Sequence, residues 1–306
     1  MPTGSPPTRQ TNWDLHDVEE GGHPVSRVTF DIRWPALALT HARLVRLSLL
    51  NNGTVVDIGG GDGGLGHFLG PGHKRYVNLE PSSVVLSRLE PQGAAGTVRG
   101  FGEQLPFRSE VFTCVSAKSS LDHAFDLDLT LTESYRVLLP TGSIVISLVN
   151  EDSWYKRLLP RTVKRRQEQC TDHNFFLGVT DLTDILANHG FVNIKATTYD
   201  YLRLPIRIEN FAYRLTSARI VQGVLHACDT ICRSVFPASG GTMTVHGEKP
   251  PRCSNLQRDP YQILATINSA AKGLLPIVPR SVIESDDSDP PPGPVVEELI
   301  TAGAHG

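Results

Sequence analysis

Two periods alternate along this chain. Short apolar runs occur at 54–58, 75–79, 97–100, 111–116 and 143–149, bounded by Gly, Pro, Asn or charged residues. Runs of that length, rich in β-branched residues, read as strands buried on both faces. The stretches between them carry apolar residues at three- and four-residue steps and read as helices. This alternation predicts an α/β domain with a doubly wound, mostly parallel sheet of seven strands. Ahead of the first strand, Pro35 to Leu50 places Leu37, Leu44, Val45, Leu47 and Leu49 at helical spacing, with proline in the first turn and Asn51-Asn52-Gly53 as the stop. After the fifth strand, Asp181 to Asn188 predicts a helix with Leu182, Ile185 and Leu186 inward. The sixth strand is expected at about 192–199 and the seventh at Thr242–His246.

The last two strands are separated by a long insertion, at about 203–240. Its apolar positions, Ile208, Phe211, Leu215, Ile220, Val224, Leu225, Cys228, Ile231 and Val235, follow helical steps, and Arg207, Arg214, Arg219 and Arg233 add positive charge. Three readings stand: a helix that finishes the core, a cap over a substrate pocket, or an amphipathic segment (206–236) that lies on a membrane surface. Around the domain at 27–250, residues 1–26 read as a mobile Pro- and Thr-rich arm. Residues 251–306 read as an extension with a helix at Gln262–Leu275, largely disordered after 280, where Glu284–Pro294 is acidic and Pro-rich.

Composition narrows the partners. With 306 residues, 40% apolar and 20% charged, the chain holds one large globular domain plus appendages. A net charge of −3 supplies no field for DNA or RNA, so a nucleic-acid substrate is disfavoured. The basic stretch Lys156, Arg157, Arg161, Lys164, Arg165, Arg166 behind Trp154 and Tyr155 reads as a solvated helix face or as a contact for an acceptor carboxylate or phosphate. Five cysteines are too few and too odd for a disulfide framework; Cys228 and Cys232 with His226 match no zinc-finger spacing, so no metal is expected. No apolar run reaches the eighteen or so residues that span a bilayer, and the polar start shows no signal peptide, which implies a cytoplasmic protein. The oligomeric state stays open.

The chemistry concentrates after the first strand, in Val55-Val56-Asp57-Ile58-Gly59-Gly60-Gly61-Asp62-Gly63-Gly64-Leu65-Gly66. Strand, tight glycine turn and helix start make a place where backbone N–H groups approach a nucleotide-like ligand. Glu80 ends the next strand, where a carboxylate can accept two hydrogen bonds from a ribose diol. The glycines satisfy G-x-G-x-x-G twice, which suits a dinucleotide dehydrogenase, but Asp57 stands where those strands carry an apolar residue.

The run also fits D-x-G-x-G-x-G through Asp57, Gly59, Gly61 and Gly63, and so resembles motif I of the class I S-adenosylmethionine-dependent methyltransferases (type 11-like). Glu103-Gln104-Leu105-Pro106-Phe107 resembles the family's E-A-L-P-F stretch. Val111–Val115 resembles its fourth strand, and Glu133–Ile146 its helix, P-G-G turn and fifth strand. The resemblance implies a Rossmann-like methyltransferase fold, S-adenosyl-L-methionine as cofactor, and methyl transfer by in-line displacement to O, N or C of a small-molecule acceptor. A catalytically silent cofactor-binding module and an RNA or protein methyltransferase are the alternatives. It also implies Asp57, Gly59, Gly61, Gly63 and Glu80 as cofactor residues. Phe101 replaces the usual adenine-binding Asp, so adenine stacks on Phe101 or meets Glu103. Thr113 replaces a common Asp, and Thr141 the first Gly of P-G-G, acceptable if its φ stays negative. His123, after the fourth strand, and His173 are the candidate catalytic residues.

Overall fold

The predicted strands form a single seven-stranded sheet in the order β3-β2-β1-β4-β5-β7-β6 in the computed structural model. The model describes residues 34–49, 53–61, 63–69, 75–87, 96–158, 174–202 and 206–252, so the terminal arm, the C-terminal extension and His173 lie outside it. The elements below belong to one unit that runs to Pro250. They are α1 (Trp34–Ser48), β1 (Val55–Ile58), α2 (Gly64–Leu69), β2 (Tyr76–Glu80), α3 (Ser83–Ser87), β3 (Gly96–Arg99), β4 (Phe112–Lys118), α4 (Leu127–Val137), β5 (Leu138–Val149), α5 (Trp154–Leu158), α6 (Val179–Asn188), β6 (Val192–Tyr199), α7 (Ile206–Leu215), α8 (Ala218–Val235) and β7 (Thr242–Glu248). A single turn of 3-10 helix, Leu121–His123, follows β4.

Strands β1 to β5 pair in parallel, and β7 runs antiparallel between β5 and β6. The register Val149↔Thr242↔Tyr199 brings the end of β5, the start of β7 and the end of β6 to one edge of the sheet. That is the edge where β1 ends in the glycine turn, so the insertion leaves and re-enters the sheet on the same side as the glycines. In open α/β sheets this edge holds the ligand.

The central strands are buried on both faces, as their unbroken apolar runs require: Val55, Val56, Val115, Ile144, Val145 and Ile146 have no exposed surface. Helix α1 differs from its predicted face. Ala38, His41, Ala42 and Val45 point inward, whereas Leu47 is 64% exposed. Small residues let α1 lie close on β4 and β5, and a histidine takes a place that an apolar-only reading leaves out.

The sequence reading put no break in the insertion. It is two helices, parted at Thr216-Ser217, where the Ser217 hydroxyl accepts the Ile220 N–H and caps α8. Nor do these helices finish the core, since their large apolar residues stand mostly in solvent.

The condition on Thr141 is not met. Its φ is +67°, a left-handed conformation that costs a β-branched residue on the order of 1–3 kcal/mol. Paired strands hold it there: Thr141 N–H donates to the Lys249 carbonyl at 3.0 Å, and Lys249 N–H to that of Gly142 at 2.8 Å. The buried Lys249 ammonium donates in turn to the carbonyls of Tyr135 and Leu138 at the end of α4. Thr113, the other departure, is structural. Its hydroxyl proton lies between the carbonyls of Ser48 and Thr54 at 2.9 and 2.8 Å, tying α1 to the start of β1. Because the Thr141 side chain is exposed, Thr141→Gly removes strain and little contact. It should raise the free energy of urea unfolding by about 1 kcal/mol with an unchanged m-value.

Candidate active site

Three glycines of the turn adopt positive φ, Gly59 at 63°, Gly61 at 59° and Gly63 at 77°, which is why the sequence is glycine at alternate positions. Close packing adds a second reason at two places. A Cβ on Gly59 would sit 2.6 Å from the Ser120 Cβ, and one on Gly60 would sit 2.1 Å from Asn78 Oδ1. At Gly61 the same construction meets nothing within 4 Å. The turn is therefore packed from below and open at Gly61, the shape a ligand that approaches backbone closely requires.

The turn's N–H groups do not behave as the sequence suggests. Gly59 and Gly60 both donate to the Leu79 carbonyl, at 2.8 and 3.2 Å, and Gly63 donates to Gly60 at 3.0 Å. Gly61 donates to Glu80 Oε2 at 3.0 Å. Three of these amides hold the turn against β2 and the fourth closes the turn on itself, so what these residues offer outward is close approach rather than a ring of donors. Asn78, a residue without a sequence signal, completes the support: its Nδ2 donates to the Gly61 carbonyl at 2.9 Å.

Glu80 is buried at the end of β2, with Oε1 accepting the Ser82 N–H at 2.9 Å. Its carboxylate thus lies directly beside Gly61. A carboxylate accepts at several positions on its two oxygens, a chemistry that suits sugar hydroxyls.

Asp57 is turned into the sheet. Tyr76 Oη donates to Oδ2 at 2.9 Å and Ser116 Oγ to Oδ1 at 2.6 Å. Burial pushes its carboxyl above the usual range, against the pull of those two hydroxyls and the Lys118 charge. From Ser116 a chain of bonds runs on. His41 Nε2 lies 2.8 Å from Ser116 Oγ, His41 Nδ1 lies 2.7 Å from Ser147 Oγ, and Ser147 lies 2.7 Å from Thr244 Oγ1. Proton counting fixes its direction. Ser116 spends its proton on Asp57, so His41 Nε2 carries the hydrogen and Nδ1 accepts one from Ser147. His41 is neutral, and burial, helped by the Lys118 charge, lowers its pKa to about 3.

Phe101 and Glu103 sit on the loop after β3, in a turn closed by the Gln104 N–H on the Phe101 carbonyl at 3.2 Å. Gly102 packs this turn against Ile58, the last residue of β1. Phe101 is half-buried. Glu103 Oε1 accepts the N–H of Phe125 at 2.7 Å and of Asp126 at 3.3 Å, so that oxygen anchors the entry to α4. The same stretch is clamped further on, where Glu133 accepts the Leu105 N–H and Arg136 donates to the Leu105 and Phe107 carbonyls.

His123 lies on the 3-10 turn after β4, with Nε2 4.0 Å from Asp122 Oδ1. Ser120, three residues earlier, packs on Gly59 and donates to the Ile58 carbonyl at 2.6 Å, which holds this loop against the glycine turn. Asn174, the neighbour of His173, donates through Nδ2 to the carbonyls of His123 and Ala124 at 3.1 and 3.0 Å. Of the basic stretch, Lys156 pairs with Glu151 and Arg157 with Asp152; the rest lies outside the described residues.

Two cavities flank α8. One of about 710 Å³ lies between α8 and α1, with Leu37, Thr40 and Arg43 on one wall and Gly223, His226 and Asp229 on the other. Tyr199, Asp200 and Thr242 close it at the ligand-side edge of the sheet. A second, of about 400 Å³, is lined by Trp154, Tyr201, Leu202, Cys228, Cys232 and Phe236. Neither His123 nor the glycine turn lines the larger cavity. His226, missed as an acid or base in the sequence, does.

Comparison with known proteins agrees with this geometry. Residues 56–146 match the family model of a methyltransferase domain. An uncharacterised protein of Methanocaldococcus jannaschii is 28% identical over 44% of this chain and 63% of its own length. A ubiquinone/menaquinone biosynthesis C-methyltransferase of Rubrivivax gelatinosus is 25% identical over 38% of this chain and 47% of its own, so the chain spans less than two thirds of either relative. A solved S-adenosylmethionine-dependent methyltransferase of Thermotoga maritima, described as a possible histamine N-methyltransferase, superposes with a TM-score of 0.51 at 18% identity, over 77% of this chain and 95% of that one. The glycine turn, Glu80 and the strand order define a Rossmann-like cofactor-binding fold. Over residues 56–146 the chain is thus similar to the class I S-adenosylmethionine-dependent methyltransferases, and its cofactor is S-adenosylmethionine.

The buried histidine has a measurable consequence. A histidine with a folded pKa near 3 and an unfolded pKa near 6.5 binds its proton more readily when unfolded. Its neutral burial is therefore tolerated above pH 6.5 and opposes folding increasingly as pH falls from 6.5 toward 3. Between pH 6.5 and pH 5 this histidine should cost about 2 kcal/mol of stability. His41→Gln should be less stable at neutral pH, through lost hydrogen bonds, yet show a flatter acid dependence in urea titrations. An acid slope equal to the parent's would contradict the neutral assignment.

Proposed function

We propose that this chain transfers a methyl group from S-adenosylmethionine to a small-molecule acceptor held in the cavity between α1 and α8. That cavity carries the reading. Its volume of about 710 Å³ falls within the range of small-molecule sites, and it opens at the edge of the sheet where the glycine turn lies.

S-adenosylmethionine supplies a methyl on a cationic sulfur, already activated for attack. The chain's own task is to hold, align and exclude water. Open backbone at Gly61 admits the cofactor closely, Glu80 accepts from its ribose hydroxyls, and Phe101 offers a ring face to adenine. Asp57 acts at one remove, holding the end of β1 through Tyr76 and Ser116. On the acceptor side, His226 and Asp229 stand one turn apart on α8 and face the cavity. The cavity favours His226 over His123 as the group that takes a proton from the acceptor.

Isothermal titration with S-adenosylhomocysteine tests the cofactor half. The wild-type chain should bind it, and Glu80→Ala should weaken binding by about 1–3 kcal/mol. Absence of binding to both S-adenosylmethionine and S-adenosylhomocysteine sinks the proposal.

The acceptor half is read separately, by tritiated methyl transfer into pools of small metabolites. A Cβ on Gly223 meets nothing within 4 Å and this residue lines the cavity, so Gly223→Leu fills space without disturbing the fold. It should abolish or strongly reduce turnover while leaving S-adenosylhomocysteine affinity unchanged. His226→Asn should lower kcat by about 10²-fold or more at high acceptor, with His123→Asn milder. The reverse order would assign the proton transfer to the β4 loop. Cofactor binding with no methylation across broad pools would instead make the chain a silent binding module.

A further inference from the structure

The insertion carries two apolar stripes that the site does not use. Helix α7 exposes Ile208, Phe211 and Leu215, and α8 exposes Ile220, Val224, Ala227, Ile231 and Val235. At 100° per residue the five α8 positions fall within about 80° of arc, a continuous seam along the helix. The large members of both stripes are 50–68% exposed. The opposite side of α8, through His226, Asp229 and Arg233, meets the larger cavity, so the seam is not a displaced core face.

Charge distinguishes what covers these stripes. Between residues 206 and 241 the acidic side chains are Glu209 and Asp229. Glu209 is buried, and Asp229 is turned inward, with Oδ1 accepting the Tyr201 N–H at 3.0 Å. Arg214 and Arg219 are exposed at the bend between the helices. The fully exposed charge of the described hairpin side chains is thus cationic, next to aliphatic seams. A second copy of the chain would bring a second set of cations and no exposed carboxylate from this hairpin to meet them.

We propose that the α7–α8 hairpin rests on the surface of an anionic phospholipid bilayer. The apolar stripes enter the boundary between headgroups and acyl chains, while Arg214 and Arg219 meet lipid phosphates. No described helix is long and apolar enough to cross a membrane, so the contact is interfacial. Docking there would set the wall of the acceptor cavity against the lipid surface.

Co-sedimentation of the full chain with vesicles tests this without reference to methyl transfer. Vesicles of phosphatidylcholine and phosphatidylglycerol should bind the chain about tenfold or more tightly than phosphatidylcholine alone, with the preference falling at high salt. The double change Ile220→Ser and Ile231→Ser should reduce binding to the mixed vesicles at least tenfold. Arg214→Glu with Arg219→Glu should erase the preference for anionic lipid. All four sites are exposed, and far-UV circular dichroism checks that the fold is kept. Failure of the full chain to bind mixed vesicles overturns the proposal, whether the face stays bare or another part of the chain covers it. So does binding that the serine changes leave intact. A dimer seen by sedimentation equilibrium, lost in the serine variant and without affinity for vesicles, gives the face to a second copy instead.

Discussion

The grip of β2 on the glycine turn organises everything around it. Three of the turn's N–H groups end on two consecutive residues of that strand, two on the Leu79 carbonyl and one on the Glu80 carboxylate. Left-handed conformations at Gly59, Gly61 and Gly63 are what let the backbone double back far enough to make those bonds. The outcome is a loop closed beneath and open at Gly61, with an acid beside the opening. A loop whose amides pointed outward would bind anions; this one, with the Gly59, Gly60 and Gly61 donors spent on β2, suits a neutral sugar and a flat base. That is consistent with a cofactor that carries no phosphate.

The polar thread from Asp57 to Thr244 serves the same end from the other side. It crosses β1, β4, α1, β5 and β7 through Ser116, His41 and Ser147, all buried. A fully bonded chain of this kind specifies one register among strands that apolar packing alone would let slide. It needs histidine neutral, since a charged imidazole would donate at both nitrogens and reverse the Ser147 hydroxyl.

Where the family pattern is broken, the local structure shows how the substitution is borne. Thr113 spends its hydroxyl on two carbonyls at a tight junction, and Thr141 is held in an unfavourable φ by the β5–β7 pairing. Neither touches the glycine turn. The insertion stands apart from that pattern: it walls a cavity with one face of α8 and shows an apolar seam on another.

Much was legible in the sequence by itself. Unbroken apolar runs require double-sided burial, which among alternating helices means a parallel sheet, and a glycine turn between strand and helix marks the ligand edge. The residues of the turn, Glu80 and the split of the last strands by an insertion all follow from local pattern. Tertiary structure alone decided the rest, because it depends on what lies opposite. The turn's amides look available until β2 is placed beneath them. His41 reads as an interruption of a helix face until Ser116 and Ser147 meet its two nitrogens. The same amphipathic spacing in α8 fits a buried core helix and an exposed one, since periodicity states that a face exists and not what covers it.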